Sequence, residues 1–561
     1  MCGITGFWKP GVDRYTLEKM TQSLSHRGPD DQGSFQSGSI GLGHTRLSVM
    51  DTSSQGHQPM TGSDGATTIV FNGEVYNHRE LRANLNTNFR SDSDTEVILE
   101  QFVQSGSECL KDLDGMFAMA IWNEQTKTLT LARDRFGIKP LYYWYNGRHL
   151  VFGSEIKSIL ASGFVPNEIS WQGLHEFLHY GTTLGETTSF DGIRRLPPGH
   201  TLELNSLGMK ITKFADIHKI PQTRPDYDEA TSNVKQLLED SVKRHLISDV
   251  PVGVFLSGGI DSACITAFAS KHYGGKLKTY TAAFDFEPEN NELEKARTIA
   301  QHFGTEHHEL TIRANNIGND IEQLVSQHDV PFGDIANLPL YLMCKELKGD
   351  TKVILQGDGG DEIFGGYHRY SRVQQAWFYR AMHYPMMAAR PLLSRQSKMY
   401  RSLRTLNAFS QRPQDLSAMI MSHQQCDQPV LNVMSDYAKE RLAHTNPYAV
   451  YHQTYEKLKH LPMVQRMLYT DSSVILPDLY FEKVDRATMA MGVEVRVPML
   501  DNQLCRYAMS LPWQYKVKGR QKNESLETHS AEQFLPPFWT DRKRDSMFRF
   551  ASGSKSRSMV T

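Results

Sequence analysis

Over roughly the first 210 residues, apolar positions come in short alternating runs broken by turn residues. "TTIVFNGEVYN" (67–77), "MFAMAIWNEQTKTLTLARD" (116–134) and "HLVFGSE" (149–155) have the two-residue period of half-buried strands. One stretch switches period: behind Ser93 or Asp94 as a cap, Val97, Ile98 and Phe102 recur on one helical face. Strands with an intervening helix predict an α+β domain over 1–210, with residues 211–226 as a linker. "PQTRPDYDE" (221–229), rich in proline and charge, marks the break. Val234, Leu237, Leu238, Val242 and Leu246 then predict an amphipathic helix. From residue 250 the pattern changes again. The runs "VPVGVFL", "LKTYTAAF" and "TKVILQ" alternate with helices expected near 260–272 and 291–303. Apolar strands separated by helices predict an α/β domain, over 227–545, whose parallel sheet is covered on both faces. Residues 370–470 predict packing helices with no chemical motif, and 546–561 a polar tail.

Composition narrows the class without naming a chemistry. A chain of 561 residues exceeds one compact core, and its 39% hydrophobic and 22% charged content is ordinary for a globular protein. A formal charge of -2 supplies no general field for nucleic acid or anionic lipid, so neither is expected as a partner. With no signal-peptide pattern and no apolar run long enough to cross a bilayer, a cytoplasmic protein is expected. The six cysteines are scattered, without metal-ligand spacing.

Three local patterns carry chemistry. Cys2, directly behind Met1, would bear both a thiol and a free α-amine once Met1 is removed, and the amine could act as the thiol's base. In "VFLSGGIDSACITAF" (254–268) a strand runs through Ser257, Gly258 and Gly259 into a helix N-terminus, which is an anion cradle. The cradle has no P-loop lysine, and Asp261 stands in the first helical turn. A carboxylate beside a polyphosphate requires an intervening cation, so Asp261 predicts Mg2+. "VILQGDGGDEIFGGY" (353–367) places Asp358, Asp361 and Glu362 after another buried strand. Ligands collect outside the carboxyl ends of such strands, so both loops should face one site, with Asp261 and Asp361 as metal ligands.

These residues, with "HRGPD" (26–30), "HTRLSVMD" (44–51), "FNGEVYNH" (71–78), "SDTEV" (93–97), "RDRFGIKPLYY" (133–143) and "EKVDRATMAMGVEVRVPMLD" (482–501), give the chain a resemblance to the glutamine-dependent asparagine synthetases over nearly its whole length. The resemblance implies an N-terminal-nucleophile glutaminase, a four-layered αββα sandwich, joined to a synthetase domain of the adenine-nucleotide α-hydrolase, pyrophosphate-loop type. It implies Cys2 as the nucleophile, Asn72 and Gly73 as the oxyanion hole, and a glutamine site of Arg46, Leu47, Ser48, Val49, Met50, Asn72, Gly73, Glu74 and Asp94. Arg46 would hold the substrate carboxylate; a structural ion pair with Asp94 is the alternative. ATP would lie across Phe255, Ser257, Gly258, Gly259, Asp261, Ser262, Ala282, Gln356 and Gly357, with Asp358 as a further synthetase residue. A carboxylic acid, most simply aspartate, would be activated as an acyl-adenylate and aminated by ammonia conducted through an internal passage. Homodimers are common in the family.

The C-terminus departs from this pattern. The family's R-x-K-x-G-F-like segment is replaced by "LPPFWTDRKRDSMFRF" (535–550), whose register puts Arg544 at the lysine position beside Lys543. Another acceptor acid, or a glutaminase or nucleotide-binding protein without synthetase activity, are the rival readings.

Overall fold

The computed structural model describes residues 1–284, 291–312, 317–347, 349–392, 397–423 and 430–517. Its N-terminal half contains two six-stranded antiparallel sheets. One runs Ile193–Arg195, Tyr142–Tyr145, Leu150–Gly153, Gly3–Trp8, Ile40–Arg46, Asp31–Ser37 in spatial order. The other runs Gly208–Lys213, His200–Asn205, Thr128–Arg133, Gly115–Asn123, Thr67–Val75, Met60–Thr61.

Strand alternation dictates the layering, because each sheet has two apolar faces to cover. The inner faces meet through Ile4, Leu42 and Phe152 of one sheet and Val70, Ala118 and Leu131 of the other. On one outside, Ile69, Phe71 and Ile121 pack under Ile98 and Leu99 of the helix Asp94–Ser105. On the other, Phe7 and Val151 pack under Leu17 and Met20 of the helix Arg14–Gln22. The result is the expected αββα order.

The C-terminal half is built on a five-stranded parallel sheet, ordered Glu306–Ile312, Lys278–Phe284, Val252–Phe255, Val353–Leu355, Glu494–Arg496. Val254 and Val353 to Leu355 are fully buried, as strands covered on both faces require. The helices Ile260–His272 and Asn291–Phe303 lie where the apolar periodicity puts them. From Val252–Phe255 the sheet is extended on one side by Lys278–Phe284 and on the other by Val353–Leu355. That reversal opens a crevice at the strand's carboxyl end.

The two halves share one apolar core, in which Met1, Leu47, Val49, Tyr76 and Met116 pack with Val254, Val484, Val495 and Val497. Buried charges cross the same seam. Arg27 donates to Asp485 at 2.7 Å, Arg195 to Asp478 at 2.9 Å, and the Tyr142 hydroxyl to Glu482 at 2.8 Å. Arg486 lies 3.3 Å from Glu155. The segment "EKVDR" thus acts largely as a docking face.

Candidate functional site

Two sites flank the seam. At the first, the strand Gly3–Trp8 pairs with Ile40–Arg46, which brings the chain start beside the loop after Arg46. The backbone N–H of Cys2 donates to Asn72 Oδ1 at 3.0 Å. The amide nitrogen of Asn72 is buried and has no partner among the described residues, so an unused donor stands next to Cys2. Gly73 tolerates no side chain, since a Cβ there would meet Met116 O at 2.1 Å. Burial pushes the Cys2 thiol above its ordinary range, against the lowering effect of the N-terminal ammonium, the Leu47 backbone N–H and Arg46.

Cys2, Arg46, Leu47, Val49, Met50, Gly73, Glu74, Asp94 and Glu494 line one cleft of about 30 Å3, together with Met1. Arg46 does not pair with Asp94: its guanidinium donates to the carbonyls of Met50, Asp51 and Ser53. Among the described residues no carboxylate pairs with it, so its guanidinium can meet one from a ligand. Asp94, at the start of its helix, accepts from the Val75 N–H at 2.9 Å. Burial raises both Asp94 and Glu74, and Glu74 Oε1 has no hydrogen-bond partner among the described residues. A cation brought between these two acids would offset their desolvation. Two residues of the expected glutamine site do not line the cleft: Ser48, whose N–H donates to Asp30 at 2.7 Å, and Asn72, which meets Cys2 through the bond from the Cys2 backbone N–H.

The second site is a cavity of about 480 Å3 at the sheet's switch point. Phe255, Ser257, Gly259, Asp261 and Ser262 come from the first loop, Ala282 from the neighbouring strand, and Gln356, Gly357, Asp358 and Asp361 from the second loop. Gly258, at φ +74, makes the turn that lets the loop enter the helix. The two loops touch through Asp261, because Gly357 and Gly360 carry no side chain. A Cβ at Gly357 would come within 2.7 Å of Asp261 Cβ, and one at Gly360 within 3.0 Å of its Oδ2. Asp361 follows directly in the chain.

The cavity wall is acidic. Asp261, Glu292, Asp358, Asp361 and Glu362 face Lys483, which is paired with Asp334 at 3.2 Å. Burial and the neighbouring Asp361 push Glu362 up to about 8, and burial also raises Asp358, which accepts from Gln356 at 3.1 Å.

A thiol at the chain start beside a preset amide, and an anion cradle lined with acids, define two chemistries in one molecule. A glutamine amidotransferase domain model matches residues 1–215, and the asparagine synthase model matches residues 233–557. The chain belongs to the asparagine synthase family. It is similar to glutamine-hydrolysing asparagine synthetases 3 and 1 of Bacillus subtilis, at 32% and 30% identity, each over 97% of this chain and 86% of the relative. It is also 28% identical to amidase chry2 of Gibberella zeae, over 96% of this chain and 87% of that protein. As a member of the family, the protein is an ATP-dependent ligase that transfers an amide nitrogen from glutamine.

For a member of this family, the sequence reading names most of the cavity but omits Lys483, Tyr367 and Tyr480, all of which line it. Lys483 stands inside "EKVDR", yet nothing in that string says which cavity it reaches. Lys543 and Arg544 lie outside the described residues.

Proposed function

We propose that the protein converts aspartate to asparagine, with glutamine as nitrogen donor and ATP cleaved to AMP and pyrophosphate. The observation that carries this reading is the pairing, across one buried seam, of a cleft holding Cys2 with a cavity made by two Gly/Asp loops.

Removal of Met1 would place the free amine on Cys2, whose nitrogen already donates to Asn72. It would also vacate part of the cleft. The thiolate attacks the glutamine side-chain carbonyl, Asn72 and Gly73 stabilise the developing oxyanion, and ammonia leaves as the thioester forms. Water then releases glutamate. Arg46 takes the glutamine carboxylate, while Asp94 and Glu74 take its ammonium, which answers the cation and acids left for a ligand in the cleft.

In the second site the acceptor carboxylate attacks the α-phosphate of ATP, giving acyl-adenylate and pyrophosphate. The donor set fits Mg2+: hard carboxylate oxygens from Asp261 and Asp361 come from loops in direct contact. The ion, when bound, supplies the positive charge that lets phosphates sit against these acids. Ammonia attacks the activated carbonyl and AMP leaves. The amine's surplus proton needs an acceptor, and the Glu362 carboxyl, which lines the same cavity, is placed to take it.

The test is purified protein with ATP, Mg2+, glutamine and aspartate. AMP, pyrophosphate and asparagine are expected, whereas ADP would defeat the mechanism. Pyrophosphate released with a different acid and not with aspartate would reassign the acceptor.

A further inference from the structure

Glu74 belongs to the N-terminal half, but its carboxylate is held from the other half. Arg496 Nη2 donates to Glu74 Oε2 at 3.0 Å across a separation of 422 residues. The Arg496 side chain is fully buried, and the rest of its guanidinium is also engaged. Its Nε donates to Glu494 Oε1 at 2.7 Å, and Nη1 to the carbonyls of His245 and Ile247 at 2.9 and 2.6 Å. Its Cζ lies 5.7 Å from the centroid of the Tyr76 ring, whose own centroid is 3.8 Å from that of His245 at a 31° tilt. The backbone is equally fixed: Glu494–Arg496 pairs in register with Val353–Leu355, and the Arg496 carbonyl accepts from Gln356 N–H at 2.9 Å. A planar fork with this many partners has one orientation. It pins Oε2 of Glu74, a residue that lines the cleft, while the buried Oε1 has no hydrogen-bond partner among the described residues.

We infer that Arg496 is the positioning residue for Glu74 in glutamine recognition, so that the glutamine site is complete only when the synthetase half is docked against it. This rests on the proposed glutamine site. Glu494, from the same strand, lines the cleft beside Cys2 and carries the inference further: two side chains of the ligase sheet help build the glutaminase pocket.

The experiment measures glutamine KM and kcat for hydrolysis, and ammonia-dependent pyrophosphate release, in wild type, Arg496→Met, Glu74→Gln and the double variant. A charge-assisted buried hydrogen bond sets the scale, so Arg496→Met should raise glutamine KM by about tenfold or more. Ammonia-dependent release should stay within about threefold, because the nucleotide loops are not altered, and hydrolysis kcat should fall by less than KM rises. On the Glu74→Gln background the same change should add little to KM, since both act through one carboxylate. An unchanged KM in Arg496→Met, or an equal rise on both backgrounds, would overturn the inference. If Arg496→Met does not fold, Arg496→Lys is compared on the two backgrounds; it keeps the charge but cannot reach all four acceptors, and the same outcomes decide. Wild-type protein that hydrolyses no glutamine would instead sink the glutamine-site reading, before any variant is compared.

Discussion

The cleft at Cys2 and the cavity at the two Gly/Asp loops are opposites in how they treat charge. In the cleft, of about 30 Å3, Arg46 is clamped by three carbonyls, Asp94 by a backbone N–H and Glu74 by Arg496, so each charge is fixed before a ligand arrives. The cavity, of about 480 Å3, presents five carboxyl groups and one lysine among the described residues. On the proposed function, the small zwitterion would meet counter-charges already in place, which lowers the reorganisation needed at the moment of reaction. A nucleotide placed against the acids of the cavity would need a compensating cation, because helix dipole and loop N–H groups alone would not offset their charge.

The contrast can be broken by experiment, beginning with the largest effect. Cys2→Ala should abolish glutamine use while ammonia-dependent pyrophosphate release stays close to wild type; loss of both would mean the two sites are not separable. Asp261→Asn should cost at least about 100-fold in pyrophosphate release, the scale of losing a preset electrostatic group, and should leave glutamine hydrolysis intact. Nucleotide binding at raised Mg2+ would check that the deficit lies in the cation.

A smaller effect concerns pH. Because Glu362 is pushed up to about 8, it is protonated at neutral pH and becomes a base only as pH rises through that value. Synthesis from ammonia, plotted against the concentration of free ammonia, should therefore climb with an inflection no higher than about pH 8, since a cation on Asp361 would lower its neighbour. In Glu362→Gln that inflection should vanish. The sign for stability is the reverse: the raised carboxyl takes up a proton on folding, so its contribution falls as pH rises from the ordinary carboxylate range to about 8. Least of all, Lys352→Ala removes a half-exposed ion pair with Asp30 at 2.8 Å, and should shift stability by no more than about 1 kcal/mol in thermal unfolding.

Much of the architecture was legible in local pattern. Ser93 caps its helix by accepting from Thr95 N–H, and the helix after the first loop starts at Ile260. Such features depend on neighbours a few residues apart, so periodicity reports them. The meeting of the two Gly/Asp loops was also predictable, because parallel strands bring their carboxyl ends to one edge. The seam was not. Arg27 with Asp485 and Glu74 with Arg496 are each more than 400 residues apart, and a buried ion pair leaves no periodic trace in either strand. Ser48 shows the converse error: its neighbours Leu47, Val49 and Met50 line the cleft, while its own N–H turns to Asp30.

What the sequence alone determined was the pair of chemistries: a cysteine at position 2, and two glycine-rich turns bearing acids at the ends of buried strands. Backbone freedom and side-chain type are local properties, and they survive in any context. Tertiary structure alone decided how the chemistries are joined. Whether Lys483 reaches the cavity of the Gly/Asp loops, or Arg496 the Glu74 carboxylate, depends on the order of strands in a sheet and on how two halves dock. Those are set by long-range burial of charge and apolar surface, which no short stretch of the chain contains.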